Sequence, residues 1–297
     1  MKKLLITGAS GFLGKVVLRK LMSENQYEIY AITTNSKKLA EFKGINIVNF
    51  NLIQTSEICN LVRDIAPEIC VHLAWDQTKH DFRMSDSNIL WLKISIELLH
   101  SFKKNGGKKF FFAGSSSEYD GATGTFKESD NITPVSLYGL CKKMFTEFGC
   151  GLNGVTSEFS FISARFFTIY GLGDTHDFGA IPSLVRSLRN NETIICNSPY
   201  TTRDYIYVND AAQITCELLK SDFRGVMNVA SGTNRFMKDV FIEISKIFDK
   251  EALVKFNEKN KIQSEFNADI TILREYGFDK YITDFTENIK KEMEKLV

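Results

Sequence analysis

The sequence predicts an α/β protein: a doubly wound parallel sheet followed by a smaller C-terminal α/β region. Three observations carry that reading. The front half alternates apolar runs with amphipathic stretches, as βαβ units joined by right-handed crossovers require. A glycine-rich turn, Gly8-Ala9-Ser10-Gly11-Phe12-Leu13-Gly14, joins the first apolar run to the first helical pattern. The 297 residues are 43% hydrophobic and 25% charged, which suffices for one large domain or two closely packed ones.

The elements follow in order. Lys3-Leu4-Leu5-Ile6-Thr7 reads as the first strand, and Val16, Val17, Leu18, Leu21 and Met22 set a helix over 13–24. Further strands fall at 28–33, 45–49, 69–74, 109–114 and 160–166, with helical stretches near 36–42, 55–65, 85–104 and 138–152. From about 170 the order loosens. Pro182 opens a helix at 182–190, Tyr205-Ile206-Tyr207-Val208 and Val226-Met227-Asn228-Val229 read as strands, and 284–297 as a charged amphipathic helix. Residues 1–170 are expected to form the first domain. Residues 171–297 form the second region, parts of 203–232 returning to the first, and the two regions make a cleft. The chain has no internal repeat, low-complexity segment or long linker.

Composition excludes several classes. A net charge of +1 suggests no nucleic-acid or membrane-surface partner. No apolar run reaches the length of a membrane span. Met1-Lys2-Lys3 before Leu4-Leu5-Ile6 imitates a signal peptide, but the apolar part is short and glycines interrupt it. Six scattered cysteines without a CxxC pair read as reduced thiols of a cytosolic protein, and four histidines without ligand spacing add no metal site.

Strand, glycine turn and helix together form the front half of a Rossmann-type dinucleotide-binding unit. Backbone N–H groups at Gly8, Ser10, Gly11, Phe12, Leu13 and Gly14 would approach a pyrophosphate, aided by the positive end of the helix dipole. The spacing is GxxGxxG, one residue longer in its first gap than GxGxxG. The second strand ends Thr33-Thr34-Asn35-Ser36-Lys37-Lys38, without the acidic residue that binds a ribose 2′-hydroxyl in NAD enzymes. Thr33, Asn35 and the lysines suit a 2′-phosphate better, which favours NADP over NAD, although Lys37 and Lys38 also read as a solvated helix start. Asn51-Leu52 lies where an adenine amino group is read, and Asn51 reads equally as a turn asparagine.

The sharpest constellation is Ser115-Ser116-Ser117-Glu118-Tyr119 followed by Tyr138-Gly139-Leu140-Cys141-Lys142. Tyr138 and Lys142 are one helical turn apart and share a face. An ammonium beside a phenol favours the phenolate, which makes Tyr138 a proton donor or acceptor near neutral pH. A strand-end serine hydroxyl, Ser115 or Ser116, can hydrogen-bond a carbonyl oxygen as charge develops on it.

With these motifs the chain resembles, nearly end to end, the extended short-chain dehydrogenase/reductases of the NAD(P)-dependent epimerase/dehydratase type. His72-Leu73-Ala74, Asn88, Arg165-Phe166-Phe167-Thr168-Ile169-Tyr170-Gly171, Arg203-Asp204-Tyr205, Asn228-Val229-Ala230-Ser231-Gly232 and Leu273-Arg274-Glu275-Tyr276-Gly277-Phe278 add to the resemblance. It implies a nicotinamide-dependent enzyme acting on a nucleotide-diphosphate sugar. Tyr138 becomes the general acid/base, Lys142 its partner and a ribose ligand, and Ser115 the carbonyl donor, with Ser116 as the alternative. Leu73, Ala74 and Phe166 fall at cofactor positions, and Trp75 and Thr168 at substrate positions. Arg203 matches the arginine that binds the substrate diphosphate, the alternative being an ion pair with Asp204. Arg235 is a second diphosphate candidate.

Departures narrow the reaction. The family's 4,6-dehydratases carry Thr-Asp-Glu where this chain has Ser115-Ser116-Ser117, so elimination of water is not expected. The epimerase-reductase that makes GDP-fucose carries a cysteine and a histidine where this chain has Ser117 and Gly179, and the neighbouring His176 reads as a loop residue. Thr168 replaces an asparagine, and Trp75 a small residue. The resemblance is closest to nucleotide-sugar 4-ketoreductases, and the expected reaction is reduction of a nucleotide-linked 4-keto-6-deoxyhexose at C4. A C4 epimerase with tightly held NAD is the alternative. A non-catalytic cofactor sensor is a remote one, because the tyrosine and lysine are intact. The helices near 85–104 and 138–152 show apolar residues (Ile89, Leu92, Ile96, Leu99; Leu137, Cys141, Phe145, Phe148) that either cover the sheet or pair two copies into a homodimer.

Overall fold

The computed structural model describes residues 1–78, 80–155, 158–174, 179–260 and 264–293. In chain order the first elements are β1 (Lys2–Thr7), α1 (Phe12–Glu24), β2 (Tyr27–Thr33), β3 (Asn46–Asn49), α2 (Thr55–Ile65), β4 (Ile69–His72), α3 (Ser87–Lys104) and β5 (Lys109–Ser115). A short β6 (Gly124–Phe126) precedes α4 (Leu137–Gly151) and β7 (Ser160–Phe166). Next come β8 (Thr168–Tyr170), α5 (Ala180–Arg189), β9 (Ile194–Cys196), β10 (Thr202–Tyr207), α6 (Val208–Lys220) and β11 (Gly225–Val229). The described elements end with β12 (Asn234–Phe236), α7 (Met237–Ile247), β13 (Val254–Phe256), β14 (Phe266–Ala268), α8 (Thr271–Glu275) and α9 (Phe285–Met293).

The chain divides into two compact units. The first comprises Met1–Gly121, Asn131–Phe166 and Ala212–Met227; the second comprises Ala122–Asp130, Phe167–Ala211 and Asn228–Val297. The central sheet has seven strands in the order β11-β7-β5-β4-β1-β2-β3. From β7 to β3 every pairing is parallel. The order reverses between β1 and β4, and in such sheets ligands bind beyond the carboxyl ends of the strands at that point. The sheet's core is rich in phenylalanine: Phe110 stacks on Phe161 at 5.8 Å, and Phe112 meets Phe145 edge-on at 4.6 Å. The second unit holds three small sheets, β12-β10-β8, β13-β9 and β14-β6.

Several boundaries differ from expectation. The fourth strand ends at His72 rather than 74, because Ala74 N–H turns to the Thr7 hydroxyl instead of a strand carbonyl. The stretch 36–42 is a single 3₁₀ turn, Ser36–Leu39. Val208 leaves β10 and starts α6 with no intervening loop. The helix at Pro182 opens two residues earlier, at Ala180, so that the proline sits in the first turn, where its missing N–H costs nothing. His176 and the last residues of the tail helix, 294–297, lie outside the described residues.

Candidate active site

The turn after β1 is shaped by its glycines. Gly8 has φ +70°, and a Cβ on it would lie 2.7 Å from Ala74 N. A Cβ on Gly14 would lie 2.0 Å from Gly8 O, so the start of α1 packs against the turn with no room for a side chain. Gly11 caps α1 with no side-chain bond and no acidic residue in the first turn. Its helix therefore offers bare N–H donors and a positive dipole end, with Phe12 and Leu13 half-buried beside them. This cradle fits a dinucleotide pyrophosphate.

The end of β2 closes onto the turn through Thr33, whose hydroxyl donates to Ser10 Oγ at 3.2 Å. Asn35 caps the 3₁₀ turn by accepting from Lys37 N–H, and Lys37 and Lys38 are exposed. Asn51 Oδ1 accepts from Ile53 N–H, a local turn bond, while Leu52 is buried. Leu73 and Ala74 follow β4 half-buried, and Phe166 ends β7 buried.

Ser115 ends β5 and Tyr138 begins α4, capped by the Ser136 hydroxyl, which accepts from Gly139 N–H. The Tyr138 phenol bonds the Ser115 side chain and accepts from Gln77 Nε2 at 2.6 Å. Ser116 opens the 3₁₀ turn after β5, half-buried; Ser115 caps that turn. Lys142 is buried, donates to Ala113 O at 2.7 Å and lies 4.1 Å from the Trp75 ring centroid. The structure thus brings Tyr138, Ser115, Lys142 and Trp75 together in the first unit. It differs from expectation in their ionisation. Burial pushes the phenol up to about 12, outweighing the bonds from Ser115 and Gln77, and lowers Lys142 to about 7. The ligand-free phenol is protonated at neutral pH. Gln77 carries no sequence signal, since a glutamine after a strand belongs to no motif.

Two buried networks hold this site. His72 bonds Thr7 Oγ1 at 2.7 Å and Ser95 Oγ at 2.9 Å, and Ser95 in turn donates to Trp91 O. With the Ser95 proton committed, His72 Nε2 is the donor and Nδ1 accepts from Thr7. Burial holds His72 down to about 3, so it is neutral. Glu118 accepts from Ser115 N–H at 3.0 Å and pairs with Arg165 at 2.7 Å, and Arg165 also donates to Tyr119 OH.

In the second unit, Arg203 on β10 and Arg235 on β12 are direct cross-strand partners. Arg203 lines a cavity of about 240 Å³ with Thr168, Ser198, Thr201, Tyr205 and Met237, and Thr168 is exposed there. Arg235 lies over the Phe285 ring at 4.3 Å and 3.6 Å from Glu243. Neighbours on a strand point to opposite faces, and the Asp204 carboxylate accepts from Ser231 and Gly232.

The apolar helix faces also differ from expectation. Leu99, Cys141 and Phe145 are buried against the sheet. Ile89, Ile96, Leu140, Met144 and Phe148 are exposed, the last three at successive helical turns. Among the described residues no group of three or more metal-ligating side chains occurs, and no helix is long and apolar enough to cross a membrane.

The family model described as the NAD dependent epimerase/dehydratase family matches residues 4–230. The chain is 26% identical over 308 residues to the dTDP-4-dehydro-6-deoxyglucose reductase of Escherichia coli, covering 94% of this chain and 96% of that protein. Its fold is similar to a UDP-N-acetylglucosamine 4-epimerase from Methanobrevibacter ruminantium solved with UDP-N-acetylmuramic acid (TM-score 0.83, 22% identity, 99% and 98% of the two chains covered). It is equally similar to the UDP-glucose 4-epimerase of Thermus thermophilus solved with NAD (TM-score 0.83, 20% identity, 98% of each chain).

Proposed function

Since the chain belongs to the NAD-dependent epimerase/dehydratase family, we propose that it reduces a nucleotide-linked 4-keto-6-deoxyhexose at C4. The observation that carries this reading is the state of residues 115–118 and 138. Tyr138 bonds the Ser115 side chain, and burial raises its phenol, which suits a group that gives up a proton to the substrate. The acidic residue of the serine run, Glu118, is locked to Arg165 behind the strand end, out of reach of an elimination. The E. coli relative, a reductase by name, supports the same reading.

The first unit holds the cofactor in this proposal: Gly8 to Gly14 at the pyrophosphate, Thr33 and Asn35 at the adenosine ribose, Asn51 and Leu52 at the adenine, and Leu73, Ala74, Lys142 and Phe166 nearer the nicotinamide. When bound, the reduced nicotinamide supplies hydride to C4. Ser115 donates a hydrogen bond to the C4 oxygen as negative charge develops there. Tyr138 transfers its phenolic proton to the same oxygen. Lys142, beside the phenol, contacts the ribose hydroxyls and, in its charged form, steadies the phenolate that remains. Trp75 covers Lys142 and excludes water from it.

The second unit holds the substrate's diphosphate. Arg203 and Arg235 lie directly across an antiparallel pair, and two guanidiniums so placed can share the oxygens of one diphosphate. The adjoining cavity, with Thr168, takes the nucleotide. NADP is the proposed preferred cofactor, because no acid stands at 33–36. A homodimer through α3 and α4 is proposed on the exposed stripe of Leu140, Met144 and Phe148 beside Ile89 and Ile96. A cytoplasmic setting suits the six free cysteines.

The test is incubation with NADPH or NADH and a panel of nucleotide 4-keto-6-deoxysugars, following loss of reduced-nicotinamide absorbance. Stoichiometric oxidation supports the reductase. Purification with retained NAD, and interconversion of C4 epimers without net cofactor consumption, would move the assignment to the epimerase reading.

A further inference from the structure

We infer that Gln77 is a positioning residue for Tyr138: its side-chain amide donates to the phenol oxygen, fixes where the O–H points, and favours the charged form of that oxygen. The inference rests on the reading of Tyr138 as the proton-transfer group. The bond is short, 2.6 Å from Gln77 Nε2 to Tyr138 OH, and spans 61 residues of sequence.

Gln77 is held on both sides. Trp75, two residues earlier, donates its indole N–H to Asn88 Oδ1 at 2.9 Å, and the Asn88 amide is itself tied to Phe82 O and Ser85 O. On the other side Asp76 Oδ1 accepts from both Thr78 N–H and Thr78 Oγ1, a local turn that closes over Gln77. One short segment therefore places Trp75 over Lys142 and Gln77 on Tyr138. The tyrosine ring is fixed by contacts of its own. Phe82 meets it edge-on at 5.2 Å, and Tyr138 N–H donates to Arg83 O. With the ring fixed, the partners of the oxygen decide the direction of its proton. A phenol oxygen accepts two hydrogen bonds and donates one, so a donor at Gln77 leaves its proton for Ser115 or for a substrate oxygen. A donor bond also strengthens when the oxygen ionises.

The charged groups around this oxygen are Lys142 on α4, Arg83 (which pairs with Asp120) and Glu118 behind Ser115. Replacing Gln77 by leucine removes one donor to the phenol oxygen and alters none of these charged residues.

The experiment uses the full chain with its ten tyrosines substituted by a more acidic ring-fluorinated tyrosine. The Tyr138 fluorine resonance is identified by its loss in Tyr138→Phe and titrated with pH. Gln77→Leu should raise the midpoint by about one pH unit, about tenfold in the ionisation equilibrium. Gln77→Glu should raise it at least as far, because it exchanges the donor for a negative charge. In the reductase assay the alkaline limb of kcat/KM should move the same way, with kcat falling more than the KM for nucleotide sugar rises. A midpoint that stays or falls in both variants overturns the proposal, a fall meaning that the carboxamide oxygen accepts from the phenol. A raised midpoint in a protein that reduces no 4-keto sugar upholds the bond and overturns the functional reading instead.

Discussion

Replacing Glu118 by glutamine asks whether charge holds the strand end that carries Ser115. The Glu118 and Arg165 side chains are 0% and 6% exposed and meet at 2.7 Å. Removing one charge of such a pair strands the other away from water, which costs about 3–5 kcal/mol. Glutamine has nearly the same volume and keeps an acceptor for Ser115 N–H, so packing and that hydrogen bond survive. Arg165 keeps its bond to Tyr119 OH at 2.7 Å, which offsets part of the loss and puts the expected cost near ~3 kcal/mol. Against an ordinary stability of about 5–15 kcal/mol, the variant folds but is visibly weakened. Urea unfolding should show a lower midpoint with an unchanged slope. Arg165→Met added to Glu118→Gln should recover most of the loss, because an uncharged pair leaves nothing stranded. A single-variant loss under about 1 kcal/mol, the scale of an exposed pair, or simple additivity in the double variant would refute the reasoning.

Four further outcomes are expected. His72 is held near 3 by burial, so the unfolded chain takes up a proton below about 6.5 that the folded protein refuses. Its stabilising contribution is complete above that pH and is lost as pH falls toward 3, at about 1.4 kcal/mol per unit; unfolding profiles of His72→Gln should lack this slope between about pH 6.5 and pH 4.5. Arg203→Met should weaken nucleotide-sugar binding by roughly 2–4 kcal/mol and leave NADPH binding unchanged in calorimetric titration, whereas equal losses would make the arginine structural. Met144→Glu, in the middle of the exposed α4 stripe, should convert a dimer to a monomer in sedimentation; a wild-type monomer at micromolar concentration would remove that interface. The kcat/KM for NADPH should at least equal that for NADH, and a preference for NADH beyond about tenfold, ~1.4 kcal/mol, would reassign the end of β2.

What was legible in the sequence is what local pattern determines. Strands 160–166 and helix 55–65 fall where the apolar spacing puts them, and Tyr138 and Lys142 share a face because four residues make a helical turn. Strands of three residues, such as β8 and β12, are too short for alternation to register. Helix α6 begins directly on a strand end, with no glycine or turn residue to announce it. Helix α4 carries apolar residues on both sides, so periodicity alone did not say that Phe145 faces the sheet while Met144 faces solvent. The pairing of Arg203 with Arg235 is a matter of strand register, and the bond from Gln77 to Tyr138 joins two segments that share no motif. The raised phenol of Tyr138 in the ligand-free chain was not legible either, because burial is a property of the whole fold and at this site outweighs the neighbouring groups.

The division of the chain has a consequence for synthesis. The polypeptide passes from one unit to the other after residues 121, 130, 166, 211 and 227. A fragment ending near 170 would therefore lack Ala212–Met227, most of α6 and the start of β11, and could not complete the central sheet. On the ribosome, β7 emerges with all seven of its residues destined for burial and no neighbour on its outer side until β11 follows some sixty residues later. At roughly 5–20 residues per second, that open edge lasts for several seconds. During this interval the nascent chain is most exposed to pairing with another molecule, and here a chaperone would have most to do.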